Sequence, residues 1–175
     1  LCKGCGTCAA DCPRDCITMT NFTDTMILRQ IDVALEDNPM GKVLIFTCNW
    51  CSYAGADLAG TSRIQYPTNT RIVRTMCSGR VDPVFVMEAL KQGIDGVLIA
   101  GCHPGDCHYQ SGNYKARRRI AILQSILEQM GFDPDRVWLR WISASEGQYF
   151  ADTVTEMVAA LKEKGPNPLK GVGAI

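Results

Sequence analysis

The sequence lacks the features of a membrane protein or a nucleic-acid-binding protein. No apolar run approaches the roughly 20 residues that cross a bilayer, and no charged-then-apolar signal segment opens the chain. The 18 basic and 18 acidic residues cancel, so no long-range attraction to nucleic acid or to an anionic membrane is expected. We therefore expect a soluble, cytoplasmic protein that recognises its partners locally.

Motifs for nucleotide cofactors and for hydrolytic catalysis are also missing. No GxGxxG follows a candidate strand and no GxxxxGK[ST] occurs. Neither a Ser/His/acid set nor a pair of catalytic carboxylates stands out. These gaps disfavour a nucleotide site and any substrate chemistry performed by the chain itself.

Cysteine, by contrast, is abundant, with ten among 175 residues. A small secreted protein would use so many cysteines for disulfides. Here the cysteines are clustered, and the segments between them have helix and strand periodicity. Metal binding is therefore the better interpretation.

The order of periodic segments predicts an α/β fold. Four apolar runs read as buried strands, at 42–48, 71–77, 96–102 and 136–142. Amphipathic helices are expected after an Asp82-Pro83 start, from Tyr114 to Met130, and after a Ser145 cap. Alternating strands and helices predict right-handed crossovers and a flavodoxin-like, doubly wound parallel sheet.

The chain divides into four parts by composition. Segment 1–20 is too small to bury a core, so a cofactor or upstream sequence must order it. Because Leu1 rather than Met precedes the first cysteine motif, we expect a fragment or a processed product. The predicted parts are a partial ferredoxin-like [4Fe–4S] segment (1–20), a linker helix capped by Thr23 (21–41), the flavodoxin-like domain (42–165) and a loose C-terminal arm (166–175).

The first cysteine group has the spacing of a bacterial ferredoxin. Cys2, Cys5, Cys8 and Cys12 form CxxCxxCxxxCP, in which three thiolates hold one [4Fe–4S] cluster and the fourth serves a neighbouring cluster. A zinc loop would usually pair two CxxC elements instead. The fourth ligand of the first cube is open: Cys12, Cys16, or a companion run upstream or outside the chain. Cys16 by itself is interpreted as a buried or incidental thiol.

The second cysteine group follows three predicted strands. Its members are Cys48, Cys51, Cys77, Cys102 and Cys107. In a parallel sheet the carboxyl ends of the strands share one edge, so these thiols are expected to converge. Four thiolates suit a [2Fe–2S] cluster or zinc, and the fifth would be a neighbour or an exchangeable ligand.

We favour [2Fe–2S] for the second group because a ferredoxin run lies in the same chain. A structural zinc-binding interaction domain is the main alternative. A thiol-disulfide enzyme using Cys48 and Cys51 is a third, although three further cysteines at the same edge would be superfluous.

Other side chains near the second group have two interpretations each. His103 and His108 make a Rieske-like site formally possible, but hydrogen bonding to cluster sulfurs or solvent is the simpler role. Trp50 either shields a cluster from water or packs in the ordinary way. The basic stretch 112–119 either faces an acidic partner or is a solvated surface.

Several of these stretches resemble a known family. CNWCSYAGADLAG (48–60), MCSGRVDP (76–83), GCHPGDCHYQSGNYKARRR (101–119) and WISASEGQYFA (141–151) resemble the iron–sulfur delta subunit of methyl-viologen-reducing, or F420-non-reducing, hydrogenase. Residues 1–38 resemble the carboxyl-terminal ferredoxin end of the A-type subunit of heterodisulfide reductase.

The resemblance implies an electron-transfer module of an oxidoreductase complex, without a substrate site of its own. It implies that the five cysteines of the second group surround a [2Fe–2S] cluster. Electrons would enter from a hydrogenase, formate dehydrogenase or F420-oxidising partner. They would continue to the bifurcating flavin in the upstream core of the A-type subunit of heterodisulfide reductase, and this chain would not bind that flavin.

Overall fold

The computed structural model describes residues 2–169, which form a parallel sheet with helices on both faces. The strands are β1 (Val43–Cys48), β2 (Thr70–Thr75), β3 (Gly96–Gly101) and β4 (Val137–Trp141). All three strand pairings are parallel, in the order β2-β1-β3-β4. This matches the first four strands of the doubly wound order 2-1-3-4-5, and the predicted α/β fold class is confirmed.

Six α-helices lie within the described residues. They are α1 (Thr7–Ala10), α2 (Asp24–Leu35), α3 (Ser52–Thr61), α4 (Pro83–Lys91), α5 (Gly112–Gln129) and α6 (Gly147–Lys164). Two 3₁₀ turns, Ser78–Arg80 and Pro134–Arg136, lie just after β2 and just before β4. The predicted linker helix corresponds to α2.

The sheet separates two apolar cores. Every residue of β1 and of β3 is buried, as expected for central strands covered by helices on both faces. Leu44 and Ile99 point into the core under α2, α4 and α5. Ile45 and Leu98 point into the opposite core under α3 and α6.

Two of the three predicted helix caps are confirmed, and the helix predicted from Tyr114 begins two residues earlier, at Gly112. The Thr23 side chain accepts a hydrogen bond from the Met26 amide, and Asp82 accepts one from Val84 beside Pro83. The prediction of a Ser145 cap is wrong.

Helix α6 begins at Gly147 because the preceding residue, Glu146, fixes the turn. The Glu146 carboxylate accepts a hydrogen bond from the Ser143 amide at 2.6 Å. The Ser145 hydroxyl instead lies 3.1 Å from the Ser143 hydroxyl. The turn is thus held by a carboxylate that reaches back three residues, and the helix starts two residues after Ser145.

Helix α3 has no strong signal in the sequence, because its residues are small and weakly amphipathic. Its glycine and alanine residues allow close packing against α6 and the loop before it. A Cβ on Gly55 would lie 2.7 Å from the Ser143 carbonyl oxygen, and one on Gly147 would lie 2.9 Å from the Ala59 nitrogen. The close contact of α3 with α6 and the loop before it therefore requires small side chains. Such side chains give little hydrophobic periodicity in the sequence.

The beginning of the predicted C-terminal arm is fixed to the domain. Asn167 is buried, and its amide N–H donates to Asp95 Oδ1 at 2.9 Å. Its side-chain nitrogen donates to the carbonyl oxygens of Leu90 and Ile94, both at 2.7 Å. The expectation of a loose arm is wrong for the residues up to Leu169, and the rest of that arm, 170–175, lies outside the described residues.

Of the helices found between residues 2 and 169, none is sufficiently long and apolar to cross a membrane.

Candidate metal centre

The five cysteines of the second group lie at the carboxyl edge of the sheet. β1 ends at Cys48, and Cys51 follows in the turn that leads into α3. Cys77 follows β2, Cys102 follows β3, and Cys107 lies in the loop before α5. The parallel topology places these strand ends side by side, as the sequence predicted.

Three of these thiols form a compact group. The sulfur atoms of Cys48, Cys51 and Cys102 all lie within 4.8 Å of one another. Those of Cys48 and Cys102 are 3.5 Å apart. A tetrahedral metal with thiolate bonds of about 2.3 Å separates its sulfurs by roughly 3.8 Å, so this spacing suits three ligands of one metal atom.

The other two thiols meet at the start of α5. A Cβ on Gly112 would overlap the Cys77 sulfur and would lie 3.6 Å from the Cys107 sulfur. Only glycine leaves room for both sulfurs at this helix start. The five thiols thus form a group of three and a pair.

The sulfur atoms lie so close together that the pKa values of neighbouring thiols shift in opposite directions. Hydrogen bonds from Cys102 and Cys51 lower the pKa of Cys48. The hydrogen bond to Cys48, together with burial, raises the pKa of Cys51 and of Cys102. Burial raises the pKa of Cys77 to about 12. Thiolates this close together repel one another, so several of them together require a bound cation.

The chemistry of the donor set fits an iron–sulfur cluster. Five cysteine sulfurs lie at this edge, and thiolates are the ligands that hold such clusters. The Gly112 cradle leaves room for two of them. The hydroxyls of Thr47 and Ser78 are buried and have no hydrogen-bond partner among the described residues. Thr47 precedes Cys48 within β1, so these two side chains point to opposite faces of the sheet.

The surrounding polar contacts fix the strand ends. Ser52 Oγ donates to the Ala100 carbonyl oxygen at 2.6 Å and accepts from the Cys48 amide at 2.8 Å. Asn113 is buried, and its side-chain nitrogen donates to the carbonyls of Cys102 and His103. Neither Ser52, Asn113 nor the Gly112 cradle has a signal in the sequence, since their roles depend on contacts made by the folded chain.

Both histidines have partners other than the sulfur atoms. His103 Nε2 lies 2.7 Å from a Glu146 carboxylate oxygen. His108 stacks on Trp50 with ring centroids 4.0 Å apart. Trp50 is 43% exposed, and its Nε1 donates to the Tyr109 hydroxyl at 2.8 Å. These contacts make an exposed aromatic group next to the cysteine edge.

The first cysteine group is organised differently. Within residues 2–169, the trio Cys48, Cys51 and Cys102 is the one set of three or more metal-ligating side chains that meets within 4.8 Å. The thiols of Cys2, Cys5 and Cys8 are therefore not assembled in the same way. Cys16 is exposed, not buried, and its sulfur lies 3.4 Å from that of Cys12.

The first group nevertheless docks onto the edge that carries the second. The Asp11 carboxylate accepts hydrogen bonds from Lys115 Nζ at 2.7 Å and from Arg119. Burial would raise the pKa of Asp11, but these two cations lower it overall. Two residues of the basic stretch thus pair with the chain's own N-terminal segment.

Tyr109 lies within electrostatic reach of both cysteine groups. Burial raises its pKa, and the nearby thiols of Cys77, Cys5 and Cys107 raise it further. One of these thiols belongs to the first group and two belong to the second. The two groups are neighbours in the folded protein, since a Cβ on Gly79, in the turn after Cys77, would lie 2.5 Å from the Thr7 hydroxyl oxygen of the N-terminal segment.

Comparison with known proteins identifies the family. Residues 43–165 match the family described as the delta subunit of methyl-viologen-reducing hydrogenase. The chain belongs to this family. The resemblance of the four sequence stretches is thereby confirmed, and the cysteine edge lies inside the delta-subunit match.

Similar proteins fall into two kinds. The A-type subunit of the ferredoxin:CoB-CoM heterodisulfide reductase of Methanosarcina mazei is 52% identical over 151 residues, which cover 86% of this chain and 19% of the relative. The D-type iron–sulfur subunit of the F420-non-reducing hydrogenase of Archaeoglobus profundus is 51% identical over 125 residues, covering 71% of this chain and 91% of the relative. A D-type hydrogenase subunit of Methanococcus voltae is 49% identical, covering 78% and 94%.

These relatives differ greatly in length. The chain spans nearly all of the D-type hydrogenase subunits but about a fifth of the A-type heterodisulfide reductase subunits. The match to the Methanosarcina mazei protein is longer than the 43–165 stretch, so it extends beyond the delta-subunit domain.

Proposed function

We propose that this protein is an electron-transfer module in a hydrogenase or heterodisulfide reductase system. Four of the five cysteines Cys48, Cys51, Cys77, Cys102 and Cys107 hold a [2Fe–2S] cluster. Cys2, Cys5, Cys8 and Cys12 serve [4Fe–4S] clusters. When bound, such clusters supply reversible one-electron oxidation and reduction.

The convergence of five thiols from three strand ends is the observation that carries this proposal. A zinc site uses four ligands, whereas a two-iron cluster spreads its four thiolates over two metal atoms and places a pair on each. Four of the five thiols would serve the second arrangement, two on each iron atom, with the fifth thiol as a neighbour.

The docking of the first cysteine group supports a relay. Asp11 holds this segment against Lys115 and Arg119 of α5, the helix whose first residue packs on the Cys77 sulfur. Two redox centres joined in this way would pass an electron within one chain. The chain's own residues then act by setting the separation and excluding water.

The relatives suggest the partners. Those that the chain spans almost fully are named as hydrogenase subunits, and the longer ones as heterodisulfide reductase subunits of the A type. We propose that electrons arrive from a hydrogenase, formate dehydrogenase or F420-oxidising protein. They would leave through the first cysteine group to the bifurcating flavin in the core of the A-type subunit.

Metal and sulfide analysis of the protein, purified without oxygen, tests the proposal. We expect a brown protein that contains iron and acid-labile sulfide, with a loss of part of both in Cys48→Ser. Cys16→Ser is the matched control for the sheet edge, because this exposed thiol lies in the N-terminal segment and can affect only the iron of the first group. A colourless protein that contains zinc and neither iron nor sulfide would contradict the proposal.

A structural zinc domain is the second candidate. The spacing of Cys48, Cys51 and Cys102 suits one tetrahedral zinc ion as well as one iron atom. This alternative expects one zinc per chain and loss of the folded state on chelation. It leaves the ferredoxin spacing of the first group without a role.

A further inference from the structure

Arg80 is a buried cation with unused hydrogen-bond donors. It lies in the 3₁₀ turn after β2 and is 1% exposed. Its Nη2 donates to the Phe22 carbonyl oxygen at 3.0 Å and to the Asp24 carboxylate. Its Nε and Nη1 are buried and have no partner among the described residues. Leaving two such donors unpaired is costly, so a further acceptor is expected beside them.

The Arg80 side chain runs beneath the loop of the first cysteine group. A Cβ on Gly6 would lie 2.6 Å from Arg80 Cδ, the carbon that carries Nε. Gly6 has a φ of 77°, and it stands between Cys5 and Cys8. Glycine is needed here for both the backbone conformation and the close approach of Arg80. The unused Nε is therefore next to the loop that carries the first-group thiols.

Other contacts hold the guanidinium in this position. The Phe85 ring covers it, with the guanidinium carbon 5.0 Å from the ring centroid. The Arg80 amide donates to the Cys77 carbonyl oxygen at 2.9 Å. Arg80 is thus fixed from the sheet edge while its side chain passes under the N-terminal segment.

We propose that Arg80 donates hydrogen bonds from Nε and Nη1 to sulfur atoms of the cluster held by Cys2, Cys5 and Cys8, and so raises its reduction potential. This inference rests on the proposed function, since it requires that cluster. Reduction adds negative charge to a cluster. A nearby buried cation stabilises the reduced form more than the oxidised form, because charges interact strongly where water is excluded.

A purely structural role is the competing explanation. In that case Arg80 would serve to pair with Asp24 and the Phe22 carbonyl, and a buried water would satisfy the other donors. The two explanations differ in what happens when the charge is changed but the fold is kept. Arg80→Lys keeps the cation and loses the planar donor array, whereas Asp24→Asn keeps Arg80 and loses its ionic partner.

The test is a redox titration of the anaerobic full-length protein, followed by electron paramagnetic resonance (EPR) of both clusters. In Arg80→Met we expect a lower potential of the first cluster, with about a tenfold change in the ratio of reduced to oxidised forms, which is about 59 mV for one electron. Arg80→Lys should shift it less. Asp24→Asn should not lower it, although it loosens the same contacts. The potential of the second cluster should change less than that of the first.

A second measurement does not depend on the stability of the variants. Pulsed EPR of wild-type protein labelled with ¹⁵N-arginine should detect a nitrogen coupled to the reduced first cluster, and Arg80→Lys should lose that coupling. An equal fall in potential in Asp24→Asn and Arg80→Met, or no arginine coupling in the wild type, would overturn the role of Arg80. Absence of iron from the wild type would instead overturn the proposed function itself.

Discussion

The two cysteine groups of this chain are built in opposite ways. At the sheet edge the thiols of Cys48, Cys77 and Cys102 are buried, and each follows or ends a strand of the central sheet. In the N-terminal segment Cys2 and Cys8 are exposed; Cys8 lies in a helix of four residues and Cys2 in the irregular stretch before it. The sheet edge is positioned by the core of the fold, whereas the N-terminal segment is positioned by docking.

Different interactions therefore stabilise the two cysteine groups. The sheet-edge thiols lie close together because buried strands fix their backbones. The N-terminal group depends on Asp11, on the close contact between Gly6 and Arg80, and on whatever its thiols bind. Changes in packing should therefore affect the sheet edge, and changes in surface charge should affect the docked segment.

The largest expected effect is at Gly112. In Gly112→Ala the new methyl group would overlap the Cys77 sulfur, and such overpacking costs about 1–3 kcal/mol. We expect loss of metal from the sheet edge, measured as iron per chain, with the N-terminal group less affected. Gly60→Ala is the control, because nothing lies within 4 Å of a Cβ on that helical glycine. A Gly112→Ala protein with the full metal content would contradict the claim that glycine is needed here to leave room for the sulfurs.

Asn167→Ala should separate the stability of the domain from metal binding. The substitution leaves the Leu90 and Ile94 carbonyls without their buried donor, at a cost of about 1–3 kcal/mol. We expect a lower denaturant midpoint with unchanged metal content, since the contacts of Asn167 lie at the end of α4 and involve none of the cysteines. Loss of metal from a variant that stays fully folded would contradict this separation.

Asp11→Asn should loosen the N-terminal segment alone. Exposed ion pairs contribute about 0.2–1 kcal/mol each, and Asp11 joins two of them. We expect faster hydrogen exchange in residues 2–20 and little change in the sheet. Salt should have a similar effect on the wild type, because it screens such pairs. Equal exchange in the variant and the wild type would mean that other contacts dock the segment.

The smallest expected effect is at Asp133, which pairs with Lys164 at 2.7 Å away from both cysteine groups. Burial raises the pKa of Asp133, but the hydrogen bond from Lys164 lowers it overall from the ordinary 3.8. A lowered pKa means that the stabilisation is present above pH 3.8 and is lost as the pH falls through the folded-state value. Because both side chains are about one-third exposed, the contribution is under about 1 kcal/mol.

Asp133→Asn should remove that part of the acid dependence and leave hydrogen exchange in residues 2–20 unchanged. Acid unfolding curves of the variant and the wild type measure the first effect. This substitution is also a matched control for Asp11→Asn, since it removes an exposed ion pair that docks no cysteine segment. If both substitutions changed hydrogen exchange in residues 2–20 to a similar extent, Asp11 would have no special role in docking the N-terminal segment.

The sequence predicted the parts of the fold that repeat a strong pattern. The buried runs of β1 and β3 and the Thr23 and Asp82 caps could be read directly, and the runs implied that the cysteines after them meet at one edge. Helix α3 could not be read, because Gly55 satisfies a contact with a loop that is distant in the sequence. The roles of Gly112 and Arg80 likewise depend on tertiary contacts that have no local signature.

EPR of the dithionite-reduced protein tests the central claim most directly, with Cys48→Ser and Cys16→Ser measured beside the wild type. The thiols at the sheet edge are expected to hold a two-iron cluster, so Cys48→Ser should lose or alter a signal that Cys16→Ser retains. An identical spectrum in all three proteins, or no iron signal in the wild type, would contradict the claim.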